Sequence, residues 1–234
     1  MVIRGVLFDF SGTLLRVEPT AHWLRAVLDE AGIALPGGES ARLAAELEEA
    51  GALPGGASPR TVPAGLRELW RERDRSAERH RAAYTALARR VPLPRPELYD
   101  ALYERHMRPE AWHPYPDTAD VLDALRDRGV PVAVVSNIGW DLRPVFRAHG
   151  LDHRVDAYVL SFEHGLQKPE PGIFELACRA LGVEPGEALM VGDSRHADGG
   201  AAALGCAVHL VDHLPRDRRP DGLRPVLDLV DRTG

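Results

Sequence analysis

Three short apolar runs punctuate the chain, each too short for a helix and each ending in a polar group. Val2-Ile3-Arg4-Gly5-Val6-Leu7-Phe8 ends at Asp9, Val130-Pro131-Val132-Ala133-Val134-Val135 at Ser136-Asn137, and Ala188-Leu189-Met190-Val191 at Gly192-Asp193. Continuous apolar runs of this length, alternating with helical patterns, predict central strands of a parallel sheet covered on both faces. Weaker runs at Ala157-Tyr158-Val159-Leu160 and Cys206-Ala207-Val208-His209-Leu210 bring the expectation to about five strands. Between them, Thr118–Asp127 reads as a helix N-capped by Asp117 and stopped by Gly129. Gly172–Leu181 reads as another, introduced by Pro169 and Pro171 and stopped by Gly182, and the small residues from Asp198 to Leu204 open a third. The alternation predicts an α/β fold with a doubly wound, Rossmann-like parallel sheet, whose polar chemistry gathers beyond the carboxyl ends of the strands.

From Arg16 to His113 that rhythm breaks, with no strand pattern. Pro19–Ala31, Ser40–Ala50, Val62–Val91 and Pro96–Met107 read as helices, the third carrying Leu66, Leu69, Trp70, Ala77, Tyr84, Leu87, Ala88 and Val91 on roughly one face. Leu53–Pro63, rich in Pro and Gly, reads as a loop, and His113-Pro114-Tyr115-Pro116 as a stiff return linker. The expected organisation is a core domain of residues 1–15 and 114–234 interrupted by an α-helical cap domain, residues 16–113.

The composition of the 234 residues, 44% hydrophobic and 27% charged, is that of an ordinary folded chain. A net charge of −6 argues against nucleic acid as a partner, which calls for a basic face. No apolar run approaches the roughly 18–20 residues of a membrane span. The opening residues lack the layout of a signal peptide, and Cys178 and Cys206 have no metal-binding or disulfide-framework spacing. The expectation is a cytoplasmic protein, monomer or homodimer. Of 29 Lys and Arg residues only Lys168 is a lysine, so a position that kept a compact ammonium rather than a planar fork draws notice.

The strand ends carry the candidate chemistry. In Asp9-Phe10-Ser11-Gly12-Thr13 a carboxylate is followed by a tight Gly-Thr loop, a layout that can attack phosphorus while backbone N–H groups hold phosphate oxygens. Ser136-Asn137 offers a hydroxyl and an amide, and Lys168 an ammonium. Asp193 and Asp198, in Gly192-Asp193-Ser194-Arg195-His196-Ala197-Asp198, are carboxylates suited to a hard cation. Singly, each is accounted for by a turn, a helix cap or a solvated loop lysine. Their joint placement at the ends of the strongest strands is what such readings do not explain.

In this order the motifs resemble those of the haloacid dehalogenase superfamily of aspartyl-nucleophile hydrolases: Asp9–Thr13 first, Ser136-Asn137 second, Lys168 third, Gly192–Asp198 fourth. The helical insert is similar to that superfamily's small helical cap. The resemblance implies attack by Asp9 and a phospho-aspartyl intermediate. It further implies Mg²⁺ held by Asp9, Asp193 and the backbone carbonyl of Ser11, with Asp198 near or acting through water. Gly12, Thr13, Ser136, Asn137 and Lys168 would bind the phosphoryl group, and Ser136 and Lys168 would join Asp9 in catalysis. The partner implied is a small anionic phosphorylated substrate.

One departure stands out. Superfamily phosphatases carry a second Asp, the general acid, two residues after the nucleophile; this chain has Ser11, whose hydroxyl cannot do that work near neutrality. Dehalogenases place an aromatic residue there and dispense with the metal acids, whereas Asp193 and Asp198 are both present. Phosphonate hydrolases use a cap lysine, and residues 16–113 contain none. The expectation is a phosphatase with an impaired acid. The alternatives are a catalytically weak phospho-ligand binder and, after it, a 2-haloacid dehalogenase. Arg60–Arg108 holds 12 Arg against 7 Asp or Glu, mostly explained as a solvated face with i,i+4 pairs. Arg73 and His80, near the apolar seam, and His22 and Trp23, soon after the first motif, are the cap candidates for substrate contact.

Overall fold

The computed structural model describes residues 2–232. In chain order, β1 (Gly5–Phe8) leads through a tight loop to β2 (Leu15–Val17), followed by helices α1 (Thr20–Glu30), α2 (Glu39–Glu49), α3 (Arg67–Arg71), α4 (Ala77–Ala88) and α5 (Leu98–His106). The chain returns through β3 (Trp112–Pro114) to α6 (Thr118–Asp127), β4 (Val132–Ser136), α7 (Arg143–Ala148), β5 (Ala157–Leu160), α8 (Ser161–His164) and α9 (Pro171–Leu181). It ends with β6 (Ala188–Gly192), β7 (Ala207–Leu210) and α10 (Pro225–Asp231).

Five strands form one parallel sheet in the order β5-β4-β1-β6-β7. The expected α/β class and its strands hold, because β1, β4 and β6 are buried along their whole length. Side chains alternate between two faces. Val6, Phe8, Val132, Val134, Leu189 and Val191 join the large core with α6 and α10, while Leu7, Ala133, Val135, Ala188 and Met190 pack with Ile173, Phe174 and Ala177 of α9. With β1 at the centre, β4 on one side and β6 on the other, the polar residues after all three strands converge at the crossover point of the sheet.

The segment between β2 and β3 is helical, with Leu24, Leu43, Leu47 and Leu102 continuing the large core. Each fully buried leucine there contributes roughly 1.5–3 kcal/mol. Three expectations are corrected. Residues 16–113 do contain strand: β2 and β3 pair antiparallel, Leu15 opposite Pro114 and Val17 opposite Trp112, so the presumed linker at His113 is half of a two-stranded ribbon at the base of the helical segment. Val62–Val91 is not one helix. Short 3-10 turns at Ala64–Leu66 and Arg73–Arg75 interrupt it, and Ser76, in extended conformation, caps α4 by accepting the Arg79 N–H at 3.3 Å. Asp117 stands at the start of α6 without capping it through its side chain; Oδ2 instead accepts the Leu223 N–H at 2.7 Å. The segment after Asp198 is a 3-10 helix. Among the described residues no helix is long and apolar enough to cross a membrane, and Cys178 and Cys206 are free and buried.

Candidate active site

Asp9 is the first residue beyond β1, and its N–H still donates to the Val191 carbonyl at 2.9 Å, so the ladder to β6 fixes the backbone that carries the carboxylate. Lys168, between α8 and α9, is buried at 4% exposure. Its Nζ donates to Asp9 Oδ1 at 2.7 Å and to Asp198 Oδ1 at 2.6 Å. Asp198 Oδ2 accepts the Ser194 N–H at 2.8 Å, which pins its other oxygen. Burial pushes the Asp9 carboxyl up to about 7, against the pull of the Lys168 ammonium and with further upward pressure from Asp198 and Asp193. Burial alone would lower the Lys168 pKa, but Asp198 and Asp9 hold it above its ordinary value.

Carboxylate oxygens of Asp9, Asp193 and Asp198 lie within 4.8 Å of one another. Three carboxylates against one ammonium leave surplus negative charge, and an all-oxygen donor set matches a hard divalent cation such as Mg²⁺. The residues present fit that ion.

A cavity of about 500 Å³ opens onto this cluster, lined by Asp9, Ser11, Ser136, Asn137 and Asp193 from the strand ends, by Lys168 and Asp198 from the segments before α9 and after β6, and by Arg73, His80, Tyr84 and the loop Pro54–Ser58 from the helical segment. The candidates differ in how they stand toward it. Ser136 is buried at its wall. The Asn137 side chain, which lines the cavity, is hydrogen-bonded at both ends to the Lys168 backbone, Nδ2 donating to its carbonyl at 2.9 Å and Oδ1 accepting its N–H at 2.7 Å. Thr13 is buried, with its hydroxyl 3.5 Å from Asp9 Oδ2, and neither it nor Gly12 lines the cavity. Gly12 has φ +84°, and a Cβ there would collide with His213 and Asp193.

Ser11 Oγ donates to the Gly55 carbonyl at 3.4 Å. Gly55 in turn has φ +76° and lies so close that a Cβ would collide with Ser11 Oγ and Trp112. The loop of the helical segment is therefore seated directly on position 11.

Of the four candidates from the helical segment, Arg73 and His80 face the cavity. His80 is buried, with Nδ1 2.7 Å from the Tyr103 hydroxyl, and burial, helped by His106 and Arg73, pushes its pKa well below the ordinary value. His22 and Trp23 are elsewhere. Trp23 packs inside the helical segment, its Nε1 donating to the Leu102 carbonyl at 2.8 Å. His22 borders a second cavity across the Gly56–Ala57 loop. Turning toward the sheet from α1 would require breaking the packing that buries Trp23 at 1% exposure.

Two residues went unnoticed in the sequence. His213 Nδ1 pairs with Asp193 Oδ2, and His213 lines the cavity. Arg219, buried and stacked on Tyr115, donates through Nη1 to the Gly12 carbonyl at 2.6 Å and through Nη2 to the Thr13 carbonyl, bracing the loop after β1. Both come from the charged stretch Asp212–Arg219, which by composition looks like solvated surface; no pattern within it marks either residue.

Residues 3–205 match the family model of haloacid dehalogenase-like hydrolases, and the chain belongs to that family. It is 36% identical over 129 residues to the phosphoserine phosphatase of Thermus thermophilus, covering 54% of this chain and 52% of that protein. It is 32% identical over 201 residues to the glyceraldehyde 3-phosphate phosphatase of Methanopyrus kandleri, covering 82% and 76%. Haloacid dehalogenases are also among its relatives. The matches with the first four curated relatives span 40–59% of those proteins' length. Among solved structures, a phosphatase of the same superfamily from Thermococcus onnurineus superposes with a TM-score of 0.58 at 28% identity, covering 90% of this chain and 86% of that one.

Proposed function

We propose that this chain is a Mg²⁺-dependent phosphatase of a small phosphorylated metabolite, acting through an aspartyl phosphate on Asp9, with residues 1–15 and 114–234 as the catalytic core domain and 16–113 as its cap. The observation that carries the reading is the buried Lys168 ammonium clasped between Asp9 and Asp198, with Asp193 beside them. Displacement of halide by a carboxylate calls for no metal ion, whereas Asp9, Asp193 and Asp198 together make an all-oxygen set suited to a cation. Phosphatases among the relatives support the same class.

In this reading an Asp9 oxygen bonds to phosphorus as the ester oxygen leaves, and water then attacks the phosphorus to release phosphate and restore the carboxylate. Lys168 offsets charge on the phosphoryl oxygens, and the Ser136 hydroxyl donates to one of them. Asn137 acts as a positioning residue, since both ends of its amide hold the Lys168 backbone. Mg²⁺, held by Asp9, Asp193, Asp198 and the Ser11 backbone carbonyl, would supply further charge neutralisation at the phosphoryl group. No carboxyl side chain follows two residues after Asp9, so the departing oxygen goes unprotonated by the chain; general acid–base catalysis typically contributes about 10²–10⁴-fold.

The test is phosphate release from matched nitrophenyl, acyl and alkyl phosphates with and without Mg²⁺, run beside halide release from 2-haloacids. Mg²⁺-dependent turnover falling steeply with leaving-group pKa is expected. Binding without turnover of any ester would favour the phospho-ligand binder to which Ser11 points, and halide release would favour a dehalogenase.

A further inference from the structure

We propose that His213 is a positioning residue for the metal, one that sets Mg²⁺ affinity by holding Asp193 without binding the ion itself. The inference rests on the phosphatase reading of the same site and adds a residue to it that acts only through another.

The three acids of the cluster are held unequally. Asp9 has Lys168 Nζ on Oδ1 at 2.7 Å and the Thr13 hydroxyl 3.5 Å from Oδ2. Asp198 has Lys168 Nζ on Oδ1 at 2.6 Å and the Ser194 N–H on Oδ2 at 2.8 Å. Asp193 has neither the ammonium nor a backbone donor. Among the described residues its side chain has one hydrogen-bond partner, His213, which pairs through Nδ1 with Oδ2. An ionised carboxylate only accepts, so the hydrogen between them lies on Nδ1. Oδ1 is left for the cation.

The pair is built into the fold. Gly12, at φ +84°, leaves the space it fills, since a Cβ there would collide with both members. The strand before Asp193 and the strand before His213 stay paired past their ends, the Val211 N–H donating to the Gly192 carbonyl at 2.9 Å. On either side of His213, Arg219 Nη1 donates to the Asp212 carbonyl at 3.1 Å and the Tyr115 hydroxyl to the Leu214 carbonyl at 2.7 Å. The same Arg219 nitrogen donates to the Gly12 carbonyl at 2.6 Å. One buried guanidinium thus ties the loop after β1 to the loop that presents the imidazole.

The donor atoms that lie within 4.8 Å of one another belong to the three acids and not to His213, which puts the imidazole around the metal site and not among its ligands. Mg²⁺ demands near-ideal octahedral geometry, so a ligand free to rotate binds it poorly. A carboxylate with one oxygen already engaged has lost that freedom before the ion arrives. Partners of this kind typically account for about 10–100-fold in metal affinity.

The experiment is calorimetric titration of Mg²⁺, and separately of Ni²⁺, into the untagged full chain without substrate. His213→Ala is expected to weaken Mg²⁺ binding by about 10–100-fold. His213→Asn, whose amide N–H stands where Nδ1–H does, is expected to stay within about 3-fold of wild type, because the donor is kept. Unchanged or tighter Mg²⁺ binding by His213→Ala overturns the inference and leaves the phosphatase reading standing; tighter binding would mean that the imidazole competes with the ion for Asp193. An Asn variant as weak as the Ala variant overturns it as well, since the donor would then not be what matters. So does a loss in His213→Ala that is about 10-fold larger for Ni²⁺ than for Mg²⁺, because imidazole suits Ni²⁺ and His213 would then be a ligand. Wild type that binds no Mg²⁺ overturns both readings.

Discussion

The strand ends and the helical segment meet across one cavity, but they meet it with opposite chemistry. The strand-end side is charge held by charge: Asp9, Lys168 and Asp198 are buried together, with partners 2.6 and 2.7 Å apart, on backbone fixed by neighbouring strands. The helical side is a largely neutral wall in which His80 and Tyr84 face the cavity, backed ring against ring by Tyr103 and His106, with the Arg73–Asp74 pair set into it; His106 in turn meets Trp140 of the loop after β4. A reaction centre benefits from both. Fixed charges act on the reacting group, and a low-polarity wall across from them strengthens every electrostatic interaction between. The contrast predicts that changes on one side disturb charge and chemistry, whereas changes on the other disturb desolvation and packing.

The largest expected effect is on the charged side. Asp9→Asn keeps the shape and removes the carboxylate proposed as nucleophile, so turnover of every phosphate ester should fall by about 10⁴-fold or more, the scale on which losing a nucleophile shows. Phosphate release by a fold-intact variant, checked by circular dichroism, measures it; residual activity within 10-fold of wild type would mean another group attacks.

Next is Lys168→Met, which leaves Asp9 and Asp198 buried without their shared cation. Breaking a buried ion pair by removing one partner costs about 3–5 kcal/mol, and urea unfolding without divalent cations should show a loss on that scale. Added Mg²⁺ should recover part of it, because the remaining carboxylates then share a different cation. An unchanged unfolding midpoint would show that the ammonium contributes nothing net to holding the cluster.

These two residues were also the ones most legible in the sequence, and the reason is physical. A short, fully apolar strand leaves few alternatives for where its first polar residue goes, and a single lysine among 29 cationic residues is conspicuous. The helical side was harder to read. The expected 62–91 helix hid the turn that aims Arg73, because the break depends on Ser76 as a cap and on Ser161 holding the Asp74 carbonyl, a partner 87 residues away. The β2–β3 ribbon was missed for the same kind of reason. Its three-residue strands, one ending in Pro114, carry no periodicity, and their pairing joins residues at opposite ends of the helical segment. Nearness in sequence to the first motif points His22 and Trp23 toward the site, whereas the hydrogen bond from Trp23 Nε1 to the Leu102 carbonyl holds Trp23 inside the helical segment.

On the neutral wall the sharper probe is pH. His106 is fully buried; its Nδ1 donates to the Tyr103 carbonyl while Nε2 has no partner, and burial pushes its pKa down to about 3. The unfolded chain takes up this proton near pH 6.5, the folded chain only near 3. Between those values the unfolded state binds more protons, so stability falls as pH falls, by up to about 1.4 kcal/mol per pH unit from this group. His106→Gln should therefore lose roughly 2 kcal/mol less than wild type between pH 6.5 and 4.5 in urea unfolding. Parallel losses in the two proteins would show that His106 is already protonated in the fold.

The smallest expected effect falls where the two sides touch. Ser11 belongs to the loop after β1, and its hydroxyl meets the Gly55 carbonyl of the helical segment at 3.4 Å. At that length the hydrogen bond contributes little, about 0.5 kcal/mol, and a serine hydroxyl has no pKa suited to proton transfer near neutrality. Ser11→Ala keeps the backbone carbonyl assigned to Mg²⁺ and removes only the hydroxyl. Hydrolysis of a nitrophenyl phosphate and of an alkyl phosphate should each change by less than about 3-fold, and stability by about 0.5 kcal/mol. The pair of substrates separates the possible roles of the side chain. If the alkyl ester alone slows by about 10²-fold, the scale of a lost general acid, Ser11 passes a proton to the leaving oxygen, and the division into a chemical side and a packing side fails at its seam. If both esters slow together, the hydroxyl matters through the seating of Gly55, and the loop of the helical segment is part of what holds the nucleophile side in place.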